Sequence, residues 1–399
     1  MTARRPCTPA PGPLEDFALQ FDPLWSSRAQ RAHFRTYLNG LLLPRDRAKT
    51  LTALAGAEPL VQAQAAPVQR LQFFLSESDW NAEAINQRRL QLLMADPATA
   101  PTNDGVLVID DTGDRKEGDA TDHVAHQYLG SVGKIDHGIV AVTSLWADER
   151  CYYPLHVTPY TPACRLAGGR QDPAFLTKPK IALALIAQAR DIGIRFQAIV
   201  ADCAYGANVE FEAALEKHGW PFVLAQRGRV EYWAPARAAH SFQQAAHAVP
   251  LSGWTRVVRR FRDGHTELWW ATELSLLGYG PEQDVRAVCA TSDRRTLPEK
   301  STWYLTTNLT ITQGPLEEIV RLYGLRNWVE QSYKQTKDEL GWADFMVRSD
   351  RAIRRHWILV YCAFSFCWWH EGNRVRLLDR AQQPALPSNQ NEDRKKKPV

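Results

Sequence analysis

Two aspartates follow short, largely apolar runs, and their carboxylates could bind a metal ion. Residues 106–109 read Val-Leu-Val-Ile and precede Asp110, and residues 196–201 precede Asp202. Apolar runs of this length predict buried strands, and open α/β sheets place their sites at the carboxyl ends of such strands. Carboxylate oxygens suit Mg²⁺, and two such ions could activate a water and stabilise the leaving oxygen in phosphodiester cleavage.

The first run ends in a pair of aspartates, Asp110 and Asp111. They cannot both face one side of a strand, because successive side chains alternate. One is a candidate ligand, and the other is expected to cap a turn or to meet solvent. Taken alone, Asp202 would also be interpreted as a turn or cap residue. The set of carboxylates, rather than any single one, therefore predicts the metal site.

A long helix predicted over residues 316–340 supplies the third carboxylate. One face of this helix carries Tyr323, Arg326, Glu330 and Lys337. At about 100° per residue, these four positions fall within about 60° of one another. Glu330 could complete the metal site, while Arg326 and Lys337 could hold phosphates on either side of it. A solvated face with an Arg326–Glu330 ion pair explains the same spacing, so the helix alone does not decide.

These residues resemble the motifs of DDE transposases of the insertion-sequence-4 superfamily. The spacing Tyr-x2-Arg-x3-Glu-x6-Lys, from Tyr323 to Lys337, is similar to the signature helix of that superfamily. Asp110-Asp-Thr resembles its first motif, D-x-[ST], and Asp202-Cys-Ala-Tyr205 resembles its second, D-x-x-[YF]. The first motif identifies Asp110, rather than its neighbour, as the catalytic aspartate of the resemblance.

The resemblance covers roughly residues 15–370. Residues 109–113, followed by the turn at 130–136, are most similar to the insertion-sequence-701 group. This likeness implies an α/β fold with an RNase H-like mixed-sheet catalytic core and a β-rich insertion. It also implies an all-helical N-terminal domain that binds the terminal inverted repeats of an insertion sequence.

The same resemblance implies the chemistry. Asp110, Asp202 and Glu330 would be the catalytic residues and would bind two Mg²⁺ ions, for which Mn²⁺ could substitute. Water would cut one strand at the element's end, and the freed 3′-OH would attack target DNA. The implied function is therefore cut-and-paste transposition on double-stranded DNA, with a homodimer expected in the complex that pairs two ends.

The signature helix would also contact DNA. Relatives often release the element through a hairpin intermediate in which a flipped base stacks on aromatic side chains. Tyr323, Arg326 and Lys337 would then contact the phosphates near that base. Trp303, on the strand before the helix, is a candidate stacking platform, although core packing is the commoner role of a tryptophan.

Other basic residues are further candidates for DNA contacts. Lys134, in a tight hairpin loop, could contact a phosphate or simply be solvated. Arg348 and Arg351 belong to an arginine cluster that follows the signature helix. We expect this cluster to form a DNA track beside the active site, with a salt-bridged helix surface as the alternative.

Changes of residue pattern divide the chain into six segments. We predict a disordered N-terminus (1–16), a helical DNA-binding domain (17–100), the first part of the RNase H-like core (101–227), a β-rich insertion (228–300), the second part of the core with the signature helix (301–375) and a polar, basic tail (376–399).

Composition limits the class of protein without revealing the reaction. The chain has 399 residues and a net charge of +4, which permits a nucleic-acid partner without requiring one. It has no long uncharged apolar run and no secretory signal, so we expect a cytoplasmic protein that does not bind membranes. Its seven cysteines include no C-x-x-C pair, which argues against a structural zinc site or a disulfide framework.

Two other functions compete with transposition. A domesticated, non-catalytic DNA-binding regulator could keep the fold, but three clustered carboxylates would only repel its DNA. An RNase H-like nuclease would need the carboxylates, but not the Tyr, Arg and Lys positions around Glu330. The absence of inverted repeats beside the gene would favour the regulator, and nicked products without end joining would favour the nuclease.

Overall fold

The computed structural model describes residues 6–58, 64–231, 238–276 and 278–382. The helices are α1 (Pro13–Leu19), α2 (Arg28–Leu42), α3 (Leu51–Leu54), α4 (Ala66–Ser76), α5 (Ala82–Ala95), α6 (Lys178–Asp191), α7 (Cys203–Gly206), α8 (Val209–Lys217), α9 (Phe242–Ala248), α10 (Leu316–Gly324), α11 (Asn327–Lys334) and α12 (Asp350–Gln382). The strands are β1 (Val106–Arg115), β2 (Ala125–Leu129), β3 (Lys134–Ala147), β4 (Tyr152–Tyr160), β5 (Ala198–Ala201), β6 (Phe222–Ala225), β7 (Thr255–Arg260), β8 (Thr266–Leu274), β9 (Arg286–Thr291) and β10 (Thr302–Thr307).

The centre of the sheet has an RNase H-like arrangement. Its strands lie in the order β4-β3-β1-β5-β6, with β1, β3 and β4 antiparallel and with β1, β5 and β6 parallel. The parallel strands are joined through α6 and α8, because parallel neighbours need a long crossover connection. The apolar residues 106–109 are fully buried, as expected for a strand that is covered on both faces.

The residue pattern does not predict strand β4. It contains Pro154 and Pro159, and each removes a backbone donor and interrupts the expected strand pattern. β4 pairs with β3 in spite of these prolines, and a register shift between Ser144 and Leu145 accommodates the irregularity. Proline is therefore consistent with a strand on the outer side of β3.

The β-rich insertion continues the core sheet. Strands β7, β8 and β9 pair in succession, β9 pairs with β10, and β10 pairs with β6. The result is one ten-stranded sheet, to which the segment 228–300 also contributes the short helix α9. This arrangement brings side chains of the insertion next to the helix α10.

The N-terminal helices pack on one another and on α12. Helix α2 begins with a capping box, in which Ser27 and Gln30 satisfy each other's backbone donors. Disorder was predicted through residue 16, but α1 already begins at Pro13, because Leu14 and Phe17 are buried in the core. The predicted basic tail is helical to residue 382, and residues 383–399 lie outside the described part of the chain.

The predicted single helix over 316–340 is interrupted. Helix α10 ends at Gly324, α11 begins at Asn327, and residues Gln335–Glu339 form a π-helical segment. Single-turn π segments are frequent at functional sites, and this one changes the angular positions assumed for a regular helix. In the described ranges, no helix is both long enough and apolar enough to cross a membrane.

Candidate active site

Asp110 lies in the interior of β1, just beyond the part of β1 that pairs with β5. Its side chain is only 11% exposed. Its Oδ1 accepts a hydrogen bond from the backbone N–H of Asp111 at 2.8 Å, and its Oδ2 accepts one from Arg326 Nη2 at 2.6 Å. Burial raises the pKa of Asp110 to about 7, which the charge of Arg326 opposes and that of Asp202 reinforces.

Asp202 follows β5 and serves as the N-cap of the short helix α7. Its Oδ1 accepts a hydrogen bond from the backbone N–H of Ala204 at 2.9 Å. Its Oδ2 lies 4.0 Å from Arg326 Nη2. One carboxylate oxygen of Asp202 therefore caps α7, and the other lies near Arg326.

A glycine holds the turn that presents Asp202. A Cβ at Gly206 would lie 2.1 Å from the carbonyl oxygen of Ala225, so no larger residue fits without moving β6. The Gln226 side chain donates a hydrogen bond to the Gly206 carbonyl at 2.8 Å. Close packing of α7 on the end of β6 thus fixes the position of the second aspartate.

Glu330 projects from α11 towards the two aspartates. Its Oε1 lies 3.8 Å from Arg326 Nη2, and its side chain is 59% exposed. One guanidinium nitrogen therefore lies within 4.0 Å of Asp110, Asp202 and Glu330. The sheet supplies two of these carboxylates and the interrupted signature helix supplies the third. We name this set the carboxylate cluster.

The donor chemistry of the carboxylate cluster suits a hard divalent cation. As arranged around Arg326, however, the described residues include no group of three His, Cys, Asp or Glu side chains that is already spaced to hold a metal ion. The Arg326 guanidinium lies within 4.0 Å of all three carboxylates.

Asp111 points away from the carboxylate cluster, as predicted from strand alternation. Its Oδ2 lies 3.1 Å from Lys178 Nζ, at the start of α6, and accepts a hydrogen bond from Tyr205 Oη at 3.3 Å. These partners lie on the opposite side of β1 from Arg326. Asp111 therefore joins α6 and α7 to the sheet.

A group of aromatic side chains lies beside the carboxylate cluster. The rings of Trp303 and Tyr323 are 4.9 Å apart, and the rings of Trp303 and Trp269 are 4.4 Å apart. The Arg259 guanidinium lies 4.6 Å from both tryptophan rings. These four residues line a cleft of about 650 Å³ that also reaches Arg326, and we name it the tryptophan cleft.

Burial also shifts the pKa values of two residues that line the tryptophan cleft. Burial raises the pKa of Tyr323 from 10 to about 12. Burial lowers the pKa of Arg259, which its neighbour Glu267 partly offsets. Such a cleft offers stacking faces together with a cation.

Lys337 lies further along β1 than the other signature residues. Its Nζ is 2.7 Å from Asp114 Oδ1 and donates to the Gly113 carbonyl at 3.1 Å. Asp110 and Asp114 are four residues apart in β1 and lie on one face of the strand, so Arg326 and Lys337 contact the same face of β1, and the shared helix face stays a prediction. Lys134, predicted in a loop, is the first residue of β3, and its Nζ is exposed 3.7 Å from Asp136.

The predicted arginine cluster is divided between solvent and the protein. Arg348 is exposed, whereas Arg351 donates to the Ser76 carbonyl and lies 3.7 Å from Glu77. The neighbouring Arg355 is buried and donates to the backbone carbonyl of Leu75 in α4 and to that of Trp80, between α4 and α5. Ion pairing and burial therefore account for part of the cluster, and a DNA contact at Arg348 or Arg351 stays a prediction.

Sequence reasoning missed three residues of this region: Arg259, Trp269 and Lys178. Arg259 and Trp269, in the insertion, were missed because they approach the site only through the pairing of β9 with β10, which is a non-local contact. Lys178 could have been noticed, since it opens α6 directly after the N-cap Thr177.

Comparison with known proteins shows the family. A family model described as DDE superfamily endonuclease matches residues 20–275, a range that includes both aspartates and ends before Glu330. The chain is 31% identical over 347 residues to a probable transposase for insertion sequence element IS701 from Microchaete diplosiphon, covering 86% of this chain and 84% of that relative. A cryo-EM structure of a piggyBac transposase synaptic complex with hairpin DNA is similar at a TM-score of 0.46 and 10% identity, over 91% of this chain and 74% of that one. Since the family match spans more than half of the sequence, this chain belongs to the DDE superfamily endonuclease family.

Proposed function

We propose that the chain is a transposase that moves an insertion sequence by cut-and-paste transposition. It would cut DNA at the element's ends and join the freed 3′-OH to target DNA. The observation that carries this proposal is the approach of Asp110, Asp202 and Glu330 to one nitrogen of Arg326. The relative described as a probable transposase supports the same activity.

Asp110 and Asp202 from the sheet and Glu330 from α11 would hold two Mg²⁺ ions, with Mn²⁺ as a substitute. When bound, such ions supply an activated water and neutralise the leaving oxygen. Asp110 lies buried at the inner side of the carboxylate cluster, while the exposure of Glu330 leaves the other side open to DNA. Arg326 would donate to a phosphate oxygen.

The DNA partners would be the element's own double-stranded ends and the target. Trp303 and Tyr323 in the tryptophan cleft offer stacking faces for a base. The remaining candidate phosphate contacts are Lys134, Lys337, Arg348 and Arg351. Because two element ends must be paired, we expect two copies of the chain in the DNA complex.

The test is cleavage of a linear DNA that carries the gene with its flanking sequence, by purified protein in Mg²⁺. Wild-type protein should cut at the element ends and join those ends to a second DNA. Glu330→Gln should bind the same DNA without cutting it. Glu317→Gln, which changes an exposed carboxylate on the preceding helix α10, is the matched control and should behave as wild type.

Each contrary outcome points to a different function. Binding without cleavage by the wild-type protein would favour the regulator. Cutting without joining would favour the nuclease. Cleavage that survives Glu330→Gln would place the third catalytic carboxylate elsewhere in the chain.

A further inference from the structure

Arg326 occupies the centre of the carboxylate cluster. Its Nη2 lies 2.6 Å from Asp110, 4.0 Å from Asp202 and 3.8 Å from Glu330. In the described part of the chain, no other Lys, Arg or His nitrogen lies within 4.0 Å of these three carboxylates. A single positive charge therefore balances three acidic groups, which leaves a net negative site of the kind that favours a divalent cation.

The hydrogen bonding of Arg326 is incomplete. Only the contact with Asp110 is of hydrogen-bond length, and the other two carboxylates lie beyond it. The Nε of Arg326 is buried and has no hydrogen-bond partner. A planar guanidinium has five donors, so this position uses a small part of its capacity. The arrangement holds Arg326 by charge rather than by a fitted set of hydrogen bonds.

Arg326 also lies between two sites that its side chain could reach. Arg326 lies between the end of α10 at Gly324 and the start of α11 at Asn327, outside either helix. Its side chain borders the tryptophan cleft as well as the carboxylate cluster. Because the backbone at Arg326 is helical, rotation about its side-chain bonds alone would carry the guanidinium from the carboxylates to the cleft, without movement of the sheet.

We propose that Arg326 is a displaceable counter-ion, which neutralises the carboxylate cluster in the absence of DNA and transfers to a DNA phosphate when DNA binds. This inference rests on the proposed function, because it requires the carboxylates to be the metal site. While Arg326 lies among the carboxylates, a metal ion must compete with its charge. Once a phosphate draws it away, the cluster regains its full negative charge. DNA and metal then bind cooperatively, and each strengthens the other by the same factor.

The experiment measures Mn²⁺ binding by electron paramagnetic resonance, without DNA and with a short element-end duplex. In the absence of DNA, we expect Arg326→Gln to bind Mn²⁺ at least tenfold more tightly than wild type. Arg326→Lys, which keeps the charge on a shorter side chain, should lie between them. Arg354→Gln removes an arginine from another i,i+4 ion pair, with Asp350, and should match wild type. Addition of DNA should tighten Mn²⁺ binding at least tenfold in wild type and much less in Arg326→Gln.

The outcomes separate this inference from the proposed function. Equal or weaker Mn²⁺ binding by both Arg326 variants without DNA would overturn the exchange. Asp110→Asn tests where the ion binds. If this variant weakens Mn²⁺ binding, the ion lies at the carboxylate cluster, and the proposed function stands whichever result the Arg326 variants give. Mn²⁺ binding that is unaffected by Asp110→Asn would overturn both proposals.

Discussion

Neighbouring aspartates in β1 have different environments. Asp110 is buried against Arg326, whereas Asp111 lies on the other side of the strand with Lys178 and Tyr205. The difference follows from strand alternation alone, because both residues are carboxylates of the same length. The side of β1 that each one faces therefore decides which of the two can join Asp202 and Glu330.

Substitution of each aspartate by asparagine tests this assignment. We expect Asp110→Asn to lower the rate of Mg²⁺-dependent DNA cleavage by more than about a hundredfold, the upper end of what loss of an outer-shell partner costs a metal site. Asp111→Asn should lower the rate by less than about tenfold. Single-turnover cleavage measures both, and a reversed order would mean that Asp111 is the catalytic residue.

The π-helical segment is joined to β1 by an ion pair. Lys337 and Asp114 are 2.7 Å apart, and the Nε1 of Trp342 donates to the same carboxylate at 3.1 Å. Both charged side chains are at most 15% exposed, so the removal of one leaves the other poorly solvated. This pair connects the end of the signature helix to the strand that carries Asp110.

We expect Lys337→Met to reduce the free energy of unfolding by about 3 kcal/mol, because it leaves Asp114 buried without its cation. Urea denaturation measures this loss. The double variant with Asp114→Asn should recover part of it. A loss of stability below about 1 kcal/mol, together with weaker DNA binding, would instead indicate that Lys337 serves DNA rather than the fold.

Helix α12 is joined to the N-terminal helices by a buried histidine. His356 Nε2 lies 3.0 Å from the Gly341 carbonyl and must donate to it, so in the neutral ring Nδ1 accepts from Tyr37 Oη at 2.8 Å. The neutral imidazole therefore satisfies both contacts without a buried charge. Burial lowers the pKa of His356 from 6.5 to about 4, with a smaller contribution from Lys116 and partial opposition from the Gly341 carbonyl.

This shift predicts how stability changes with pH. Above pH 6.5 His356 is neutral in both folded and unfolded chains, and its contribution is complete. Between pH 6.5 and 4 the unfolded chain binds the proton first, so unfolding becomes easier by up to about 3 kcal/mol, at about 1.4 kcal/mol per pH unit. His356→Gln should make denaturation curves less dependent on pH over this range, with exposed His247→Gln as the control. An unchanged pH dependence would contradict the assignment.

The whole molecule is built on one ten-stranded sheet. The core and the insertion share this sheet through β10, so Trp269 and Arg259 of the insertion lie beside Trp303 of the core. Because the net charge is only +4, DNA binding must depend on where the basic residues lie rather than on their number.

DNA binding should therefore weaken steeply with salt. Each phosphate contacted contributes about 0.9 to the slope of log affinity against log salt concentration. Arg348→Gln should reduce that slope by about 0.9 if the exposed side chain contacts a phosphate. Arg374→Gln changes an exposed arginine that is paired with Glu371, and should leave the slope unchanged. A slope that is the same in Arg348→Gln would remove Arg348 from the DNA track.

Much of the fold and of the site could be predicted from local patterns. Strands β1 and β5 have fully buried apolar runs, and the position of Asp202 directly after β5 followed from residue types alone. Asp110 was also expected at a strand end, but β1 continues to Arg115 because residues 110–115 pair with β3. The RNase H-like fold and the DDE family are confirmed by the strand order and by the family match.

Other features depend on contacts that no local pattern contains. Prolines interrupt the residue pattern of β4, although this strand pairs with β3. The π-helical segment contains Lys337, whose ion pair with Asp114 of β1 joins residues that are far apart in the sequence. The central position of Arg326 was not predicted either. Helical spacing indicated that it shares a face with Glu330, but only the folded chain brings β1 and β5 to the same guanidinium.

We propose that the metal ligands of a DNA-cleaving site are Asp110, Asp202 and Glu330. Metal rescue of Glu330→Cys tests this assignment most directly. Single-turnover cleavage of element-end DNA would be measured in Mg²⁺ and in Mn²⁺, with Glu317→Cys as the control. We expect Glu330→Cys to be inactive with Mg²⁺ and to recover activity with Mn²⁺, because a thiolate binds the softer ion better. Equal activity of Glu330→Cys and wild type in Mg²⁺ would show that Glu330 is not a metal ligand of the cleavage site.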